Sequence, residues 1–275
     1  MHSLYSLRLV LRSLAFFRLA WVPLLTLISG CAVYAPTLPS TPIVRKGEVE
    51  AAASWHLLQT VDGHAAWSPT DHVLVLAEGS WRPDNADTTY FRTKQAGVGA
   101  GLYQSFGNNH WYLAGTGGLS LSHSVRGYLD VNDFFVWPFG VKLVEYEAWY
   151  WKYYGQGYLA YHHTVRNGPS YALGSVLRYS TVDFSSLTRN GSPLVQAPAS
   201  YWEPSLFCRL GFRGVQVQTS VGLSISESLV GDADSYYLPQ SSFVLGVGVV
   251  LHPLQWLKRH QHQPASSQGP PALLD

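Results

Sequence analysis

Residues 215 to 226 read VQVQTSVGLSIS. Val215, Val217, Thr219, Val221, Leu223 and Ile225 share one parity, and Gln216, Gln218, Ser220, Gly222, Ser224 and Ser226 share the other, which is the period-two pattern of a strand. Its apolar face must meet either the core of a soluble sandwich or lipid. Composition favours lipid: charged residues are 13% of the 275, against about 25% in a typical soluble domain, while aromatics reach 14%.

The wet parity points the same way. In QAGVGAGLYQSF, Ala96, Val98, Ala100 and Leu102 alternate with Gln95, Gly97, Gly99, Gly101 and Tyr103. A water-facing parity would carry Lys, Glu and Thr, whereas small residues fit the concave inside of a narrow closed barrel. FVLGVGVVLH repeats the pattern, with Phe243, Leu245, Val247, Val249 and Leu251 outward and Gly246 and Gly248 inward. HWYLAGTGGLSLS does so again, with Trp111, Leu113, Leu119 and Leu121 set against Tyr112, Thr116, Ser120 and Ser122.

Ten strands are expected, at about 48–57, 61–68, 72–81, 93–106, 110–122, 149–165, 170–181, 203–212, 215–226 and 242–252, with eight or twelve as the alternatives. From the third strand onward the connections alternate in length. SPTD, GNNH, RNGPS and FRG are tight turns, while RPDNADTTYFR, residues 123–148, VDFSSLTRNGSPLVQAPASY and SESLVGDADSYYLPQ are long. Outer-membrane barrels show this sorting, with tight turns on the periplasmic side and extended loops outside. The expected fold is therefore all-β, an antiparallel up-and-down closed transmembrane barrel over residues 48–253. Pro204 would break a ladder unless it sits at a strand start or a bulge.

Charge placement is a separate test, because Arg or Lys on the lipid face near mid-bilayer costs about 2–4 kcal/mol. Arg178 is opposite in parity to Leu173 and Leu177, and Glu203, Arg209 and Arg213 are opposite to Leu206, Cys208, Leu210 and Phe212. All four are expected in the lumen as an internal ion-pair network, with Cys208 facing lipid. The aromatic run YEAWYWKYYGQGYLAYHH suits an interfacial girdle, although its parity is ambiguous.

The start of the chain reads as an export signal. Residues 1–30 carry Arg8, Arg12 and Arg18, no acidic side chain, and the apolar run LAWVPLLTLISG, too short to span a bilayer as a helix. Ile28-Ser29-Gly30-Cys31 resembles the lipobox of bacterial lipoproteins, which implies a mature chain beginning at Cys31 with acyl chains on its thiol. Removing three of 18 basic residues leaves 15 against 17 acidic, so no nucleic-acid patch is implied. Residues 31–47, with prolines at 36, 39 and 42, read as an extended lipidated tether, and 254–275 as a flexible tail.

Cys31 through Tyr34-Ala35-Pro36, followed by Lys46-Gly47-Glu48, resembles the start of Bacteroidota-type outer-membrane lipoproteins, in which a Tyr-x-Pro tether leads into a Gly-Glu opening strand. The resemblance implies a lipid-anchored barrel in the outer membrane and no established activity. Surface-exported lipoproteins of such bacteria often carry acidic residues just after the cysteine. AVYAPTLP has none, which favours an inward-facing anchor, with both termini periplasmic.

No residue set reads as a cofactor or metal site. His162 and His163 are adjacent and alternate in direction, His260 and His262 lie in the tail, and DADSYY and DNADTT lack the spacing of calcium loops. Ser122-His123-Ser124 at a strand end is the one hint of a lipid esterase or deacylase, without an identifiable acid partner. The expected role is non-enzymatic, structural or loop-mediated, in contact with outer-membrane lipid. The alternatives are that barrel hydrolase and a tethered, soluble, lipocalin-like carrier with an apolar interior.

Overall fold

The computed structural model describes residues 33–56, 59–84, 86, 89–130, 142–165, 168–212, 214–227 and 241–254. The first strands are β1 (Val49–His56), β2 (Val61–Trp67), β3 (Val73–Arg82), β4 (Tyr90–Phe106) and β5 (Trp111–Asp130). They are followed by β6 (Lys142–Thr164), β7 (Ser170–Arg189), the two-residue β8 (Ser192–Pro193), β9 (Ala199–Phe212), β10 (Val215–Ser226) and β11 (Ser241–Leu251).

Every pairing is antiparallel, and β8 pairs only with β7, so ten of the eleven strands form the wall. The wall closes into one ring. β1 pairs with β11, Ala51 facing Leu251, and β6 pairs with β7 from Tyr146–Arg189 to Thr164–Ser170. A closed antiparallel ring leaves no unpaired edge, as a sheet immersed in hydrocarbon requires.

The faces sort as the period-two pattern predicts. Val217, Leu223 and Leu245 are exposed on the outside, whereas Gln218, Ser220 and Ser224 are buried inside. The ambiguous aromatic run resolves by the same rule: Trp149, Trp151 and Tyr153 point out, and Tyr150, Lys152, Tyr154, Gln156 and Tyr158 point in. Outward Trp67, Phe106, Trp111 and Phe212 stand near the tight turns, and outward Trp55, Trp81, Trp149 and Trp202 toward the long loops. These are the two aromatic girdles of a membrane barrel. Small inward residues make room for large ones: a Cβ on Gly99 or Gly118 would lie 2.7 or 2.5 Å from the Tyr154 hydroxyl.

Several strands run longer than the sequence pattern suggests. β6 starts at Lys142, not near 149, and β7 continues to Arg189, past 181. A register shift at Trp149/Tyr150 sets Trp149 against Ser186 but Tyr150 against Phe184, and this bulge interrupts the alternation of β7 while β6 keeps its own. Pro204 lies in mid-strand: it pairs with Leu177 of β7, while the β9–β10 register skips from Ser205–Gly222 to Trp202–Ile225. The ladder gives way on the side where proline has no N–H to donate.

The expectation of a Pro-rich tether outside the barrel is corrected. Residues 33–44 run inside the lumen, with Val33, Tyr34, Thr41 and Val44 almost wholly buried. Contacts along β6 give the direction: Tyr34 meets Tyr150, Thr37 meets Lys152, Ser40 meets Gln156 and Pro42 meets Tyr158. Since β6 descends from a long connection toward the tight turn at 165–169, the segment enters at the long-loop mouth and leaves at the tight-turn mouth. There Gly47, at φ 75°, turns it into β1, with Glu48 N–H donating to Arg45 O at 2.8 Å and Gly47 N–H to Ser68 O at 2.7 Å. Val33 therefore stands at the mouth opposite the barrel's own two chain ends, Val49 and Leu251. Prolines at 36, 39 and 42 repeat every third residue, the period of a polyproline II helix, and remove three donors that a buried chain would otherwise have to satisfy. Cys31 and the signal segment 1–30 lie outside the described residues, as does the tail from 255.

Candidate functional site

The lumen is where unusual chemistry gathers. Two arginines on neighbouring strands clamp the threaded segment. Arg209 of β9 donates from Nη2 to Thr41 O at 2.6 Å, from Nη1 to Glu50 Oε2 at 3.1 Å, and from Nε to Gln218 Oε1 at 2.8 Å. Arg178 of β7 donates to Gln156 Oε1 at 2.8 Å, to Glu78 Oε2 at 3.3 Å and to Thr37 Oγ1 at 3.4 Å, and its guanidinium lies 4.4 Å from the Tyr154 ring centroid. Planar, multidentate guanidinium is the side chain that can bind a carboxylate, an amide and a hydroxyl at once.

Glu203 is a third anchor. It accepts from Tyr34 Oη and Ser180 Oγ, both at 2.7 Å, and lies 3.7 Å from Lys152 Nζ. The segment's own backbone is satisfied by the wall: Leu38 N–H donates to Asp62 Oδ2 at 2.9 Å and Ile43 N–H to Glu50 Oε2 at 2.9 Å. The carbonyls of Val33, Ser40 and Pro42 accept from Ser124, Gln156 and Tyr158 at 2.7, 2.6 and 2.7 Å. Chain in a closed interior must find such partners, because an unpaired buried polar group is costly.

The lumen is graded along its length. At the long-loop mouth Val33 and Tyr34 pack in an apolar cup with Val144, Tyr146, Tyr150, Leu187 and Tyr201. Tyr34 stacks on Tyr201 at a centroid distance of 4.5 Å. Deeper in, the charged clamp takes over. Near the tight turns Val44 joins Leu74, Leu76, Tyr103, Tyr112 and Tyr158. Between the segment and the β1–β4 wall a narrow cleft, with room for little more than a water molecule, is lined by Ser40, Asp62, His64, Glu78 and Gln95 among others. Ser40 Oγ, Asp62 Oδ1 and Glu78 Oε1 have no protein partner, and a polar gap of this kind is where ordered water completes hydrogen bonding.

The structure puts Arg178, Glu203 and Arg209 in this interior, while Arg213 lies outside the described residues. Sequence reasoning missed their partners: Tyr34, Thr37 and Thr41 from the segment, and Glu50, Asp62, Glu78 and Lys152 from the wall. Cys208 is free and on the outer face. The Ser122-His123-Ser124 triplet does not assemble. Both serines are buried in the lumen, whereas His123 is outside, bonded to Glu147 at 3.0 Å and stacked on Trp149 at 4.2 Å. Among the described residues no apolar ligand cup runs through the barrel, since the lumen is polar at mid-depth and filled by residues 33–44.

Among the described residues no three His, Cys, Asp or Glu side chains group as a metal site. His260, His262 and DADSYY lie outside them. In DNADTT, Asp84 uses its carboxylate to cap the Ala86 and Phe91 N–H groups at 3.2 and 2.8 Å, which is turn chemistry.

Closed pairing, an apolar outer belt and a polar, filled interior define the class: an outer-membrane β-barrel of ten strands. No family model and no curated protein matches the sequence. Among solved structures the chain is similar to LpxR from Salmonella typhimurium at 8% identity, covering 74% of this chain and 99% of that one, with a TM-score of 0.38. It is also similar to an outer-membrane channel from Pseudomonas putida F1, at 10% identity over 79% and 100% of the two chains and a TM-score of 0.36. The N-terminal barrel domain of Pseudomonas aeruginosa OprF follows, at 10% identity over 74% and 95% and a TM-score of 0.28. The assignment to this class rests on the pairing and the faces and takes nothing from these loose likenesses.

Proposed function

We propose that the protein is a lipid-anchored, non-enzymatic outer-membrane barrel with a closed axis, acting through its long loops or as a structural element of the envelope. The observation that carries this reading is the occupied lumen. A barrel used for axial transport needs a free axis, whereas here Val33 to Val44 fills it and Arg178 and Arg209 lock the filling to the wall. A wall stiffened by buried charge pairs suits a frame that holds loops in place.

In this reading Ile28-Ser29-Gly30-Cys31 supplies the anchor, with acyl chains on the Cys31 thiol adding about 0.8 kcal/mol per buried methylene. Conductance across planar bilayers is the test. The full-length protein is expected to give no stable open steps, and the Arg178→Ala/Arg209→Ala double variant to give flickering conductance as the segment loosens. Steady large conductance from the unaltered protein would overturn the closed-axis reading.

A further inference from the structure

The direction of the lumenal segment carries a consequence for where the lipid sits. From Val33 to Val44 the chain travels toward the tight turns, meeting Ser124, Tyr150, Lys152, Gln156 and Tyr158 in order of depth. The nine residues from Tyr34 to Pro42 match the nine of β6 from Tyr150 to Tyr158, so the segment is extended and has no slack to double back. Cys31 is two residues before Val33, a reach of at most about 7 Å. Returning from Val33 to the other mouth would take more than ten residues of extended chain at about 3.1 Å each, through an axis that is already occupied.

We infer that the protein is threaded through its own barrel with its N-terminal end on the long-loop side, so that acylated Cys31 emerges at the outer surface of the cell and the anchor lies in the outer leaflet. This rests on the lipid-anchor reading above for the acyl chains, but the threading itself rests only on residues 33–47. The geometry supports it at both ends. At the outer mouth the apolar cup around Val33 and Tyr34 grips the chain by packing, and at the inner mouth the Gly47 turn is bonded to Ser68, which fixes the exit. The wall is also uneven: β1, β2 and β3 have 8, 7 and 10 residues, against 17, 20, 23 and 20 in β4 to β7. Acyl chains leaving the outer mouth therefore have a low rim, at the β1–β2 connection, over which to reach the bilayer. An anchor on the inner leaflet would tether the barrel from below, whereas this arrangement ties it to the bilayer from above and leaves the tight-turn face free.

Three full-length proteins test this, each with one short epitope: after Ala32, after Val195 in the β8–β9 connection, or after Asn109 in the β4–β5 turn. Antibody is applied to intact and to permeabilised cells, and heat-modifiable migration verifies that each barrel is folded. The expected result is that the Ala32 and Val195 epitopes are reached on intact cells and the Asn109 epitope only after permeabilisation. If the Ala32 epitope is hidden on intact cells while Val195 is reached, the threading direction is wrong. Should the epitope prevent folding, Ala32→Cys in a Cys208→Ser background, labelled with a membrane-impermeant maleimide, is expected to label on intact cells, and failure to label there overturns the inference equally. Metabolic labelling with an alkynyl fatty acid separates the two readings. Label present and lost in Cys31→Ser, with a hidden Ala32 epitope, removes the threading and keeps the anchor. An exposed Ala32 epitope on a protein that takes no label keeps the threading and removes the outer-leaflet lipid.

Discussion

Around Val33 and Tyr34 the lumenal segment is held by hydrocarbon and rings, whereas from Thr37 to Ile43 it is held by charge. The first region is a shape fit: Tyr34 stacked on Tyr201 and edge-on to Tyr150, with Val144 and Leu187 behind. The second is a set of directed bonds from Arg178 and Arg209 and to Glu50 and Asp62. The difference teaches how the two should fail. Packing weakens in proportion to the atoms removed, while a buried ion deprived of its partner leaves an uncompensated charge.

Arg209→Ala should produce the largest effect, because Glu50 would then be left wholly buried without its guanidinium, keeping the Ile43 N–H at 2.9 Å and His64 and His252 at 3.4 and 3.8 Å. A loss of about 3–5 kcal/mol is expected, measured as urea-induced unfolding in lipid vesicles followed by heat-modifiable migration. Arg209→Met combined with Glu50→Met should recover much of that loss; equal destabilisation by Arg209→Ala and the double variant would show that the loss comes from the bonds to Thr41 and Gln218 and not from a stranded Glu50. Tyr34→Phe straddles the two regions, since it keeps the stacked ring but removes the bond to Glu203. It should cost about 1.5–3 kcal/mol, as expected of a hydrogen bond to a charged group, and no change would mean that the ring alone holds the segment there.

Val33→Ala tests the cup without touching a polar group. About 1–2 kcal/mol follows from two methyl groups and the small cavity they leave, and a loss as large as that of Arg209→Ala would erase the contrast between the regions. Smallest of all, Pro36→Ala, at a half-buried position, should cost about 0.4–1 kcal/mol by giving the unfolded chain more freedom. A larger loss in that variant would point to packing that the threefold proline spacing alone does not supply.

The wall was readable in the sequence because its signal is local: alternation in VQVQTSVGLSIS or FVLGVGVVLH needs no knowledge of any other strand. The expectation of ten strands holds for the same reason, and so does the sorting of tight turns and long loops. The far end of β7 was hidden by the Trp149/Tyr150 register shift, which breaks its alternation after Val182, and the start of β6 by Glu145 and Glu147 on its outward face, where the other strands carry apolar residues. The threaded segment was misread as a tether because its partners are remote, Tyr34 from Glu203 by 169 positions and Thr41 from Arg209 by 168. One local signal was available. From Ala32 to Val44 there is no charged residue, although a stretch free in water would ordinarily carry some. Inward parity for Arg178, Glu203 and Arg209 could be read from the strand pattern, but what they hold could not, since the object held is another part of the same chain.

Hydrogen exchange over residues 33–46 is the most direct measurement of the filled lumen. The Leu38 and Ile43 amides, bonded to Asp62 and Glu50, should exchange as slowly as the amides of β5 and β6 in the same folded protein. Exchange over that stretch as fast as in an unstructured peptide, with the strands still protected, would contradict the account.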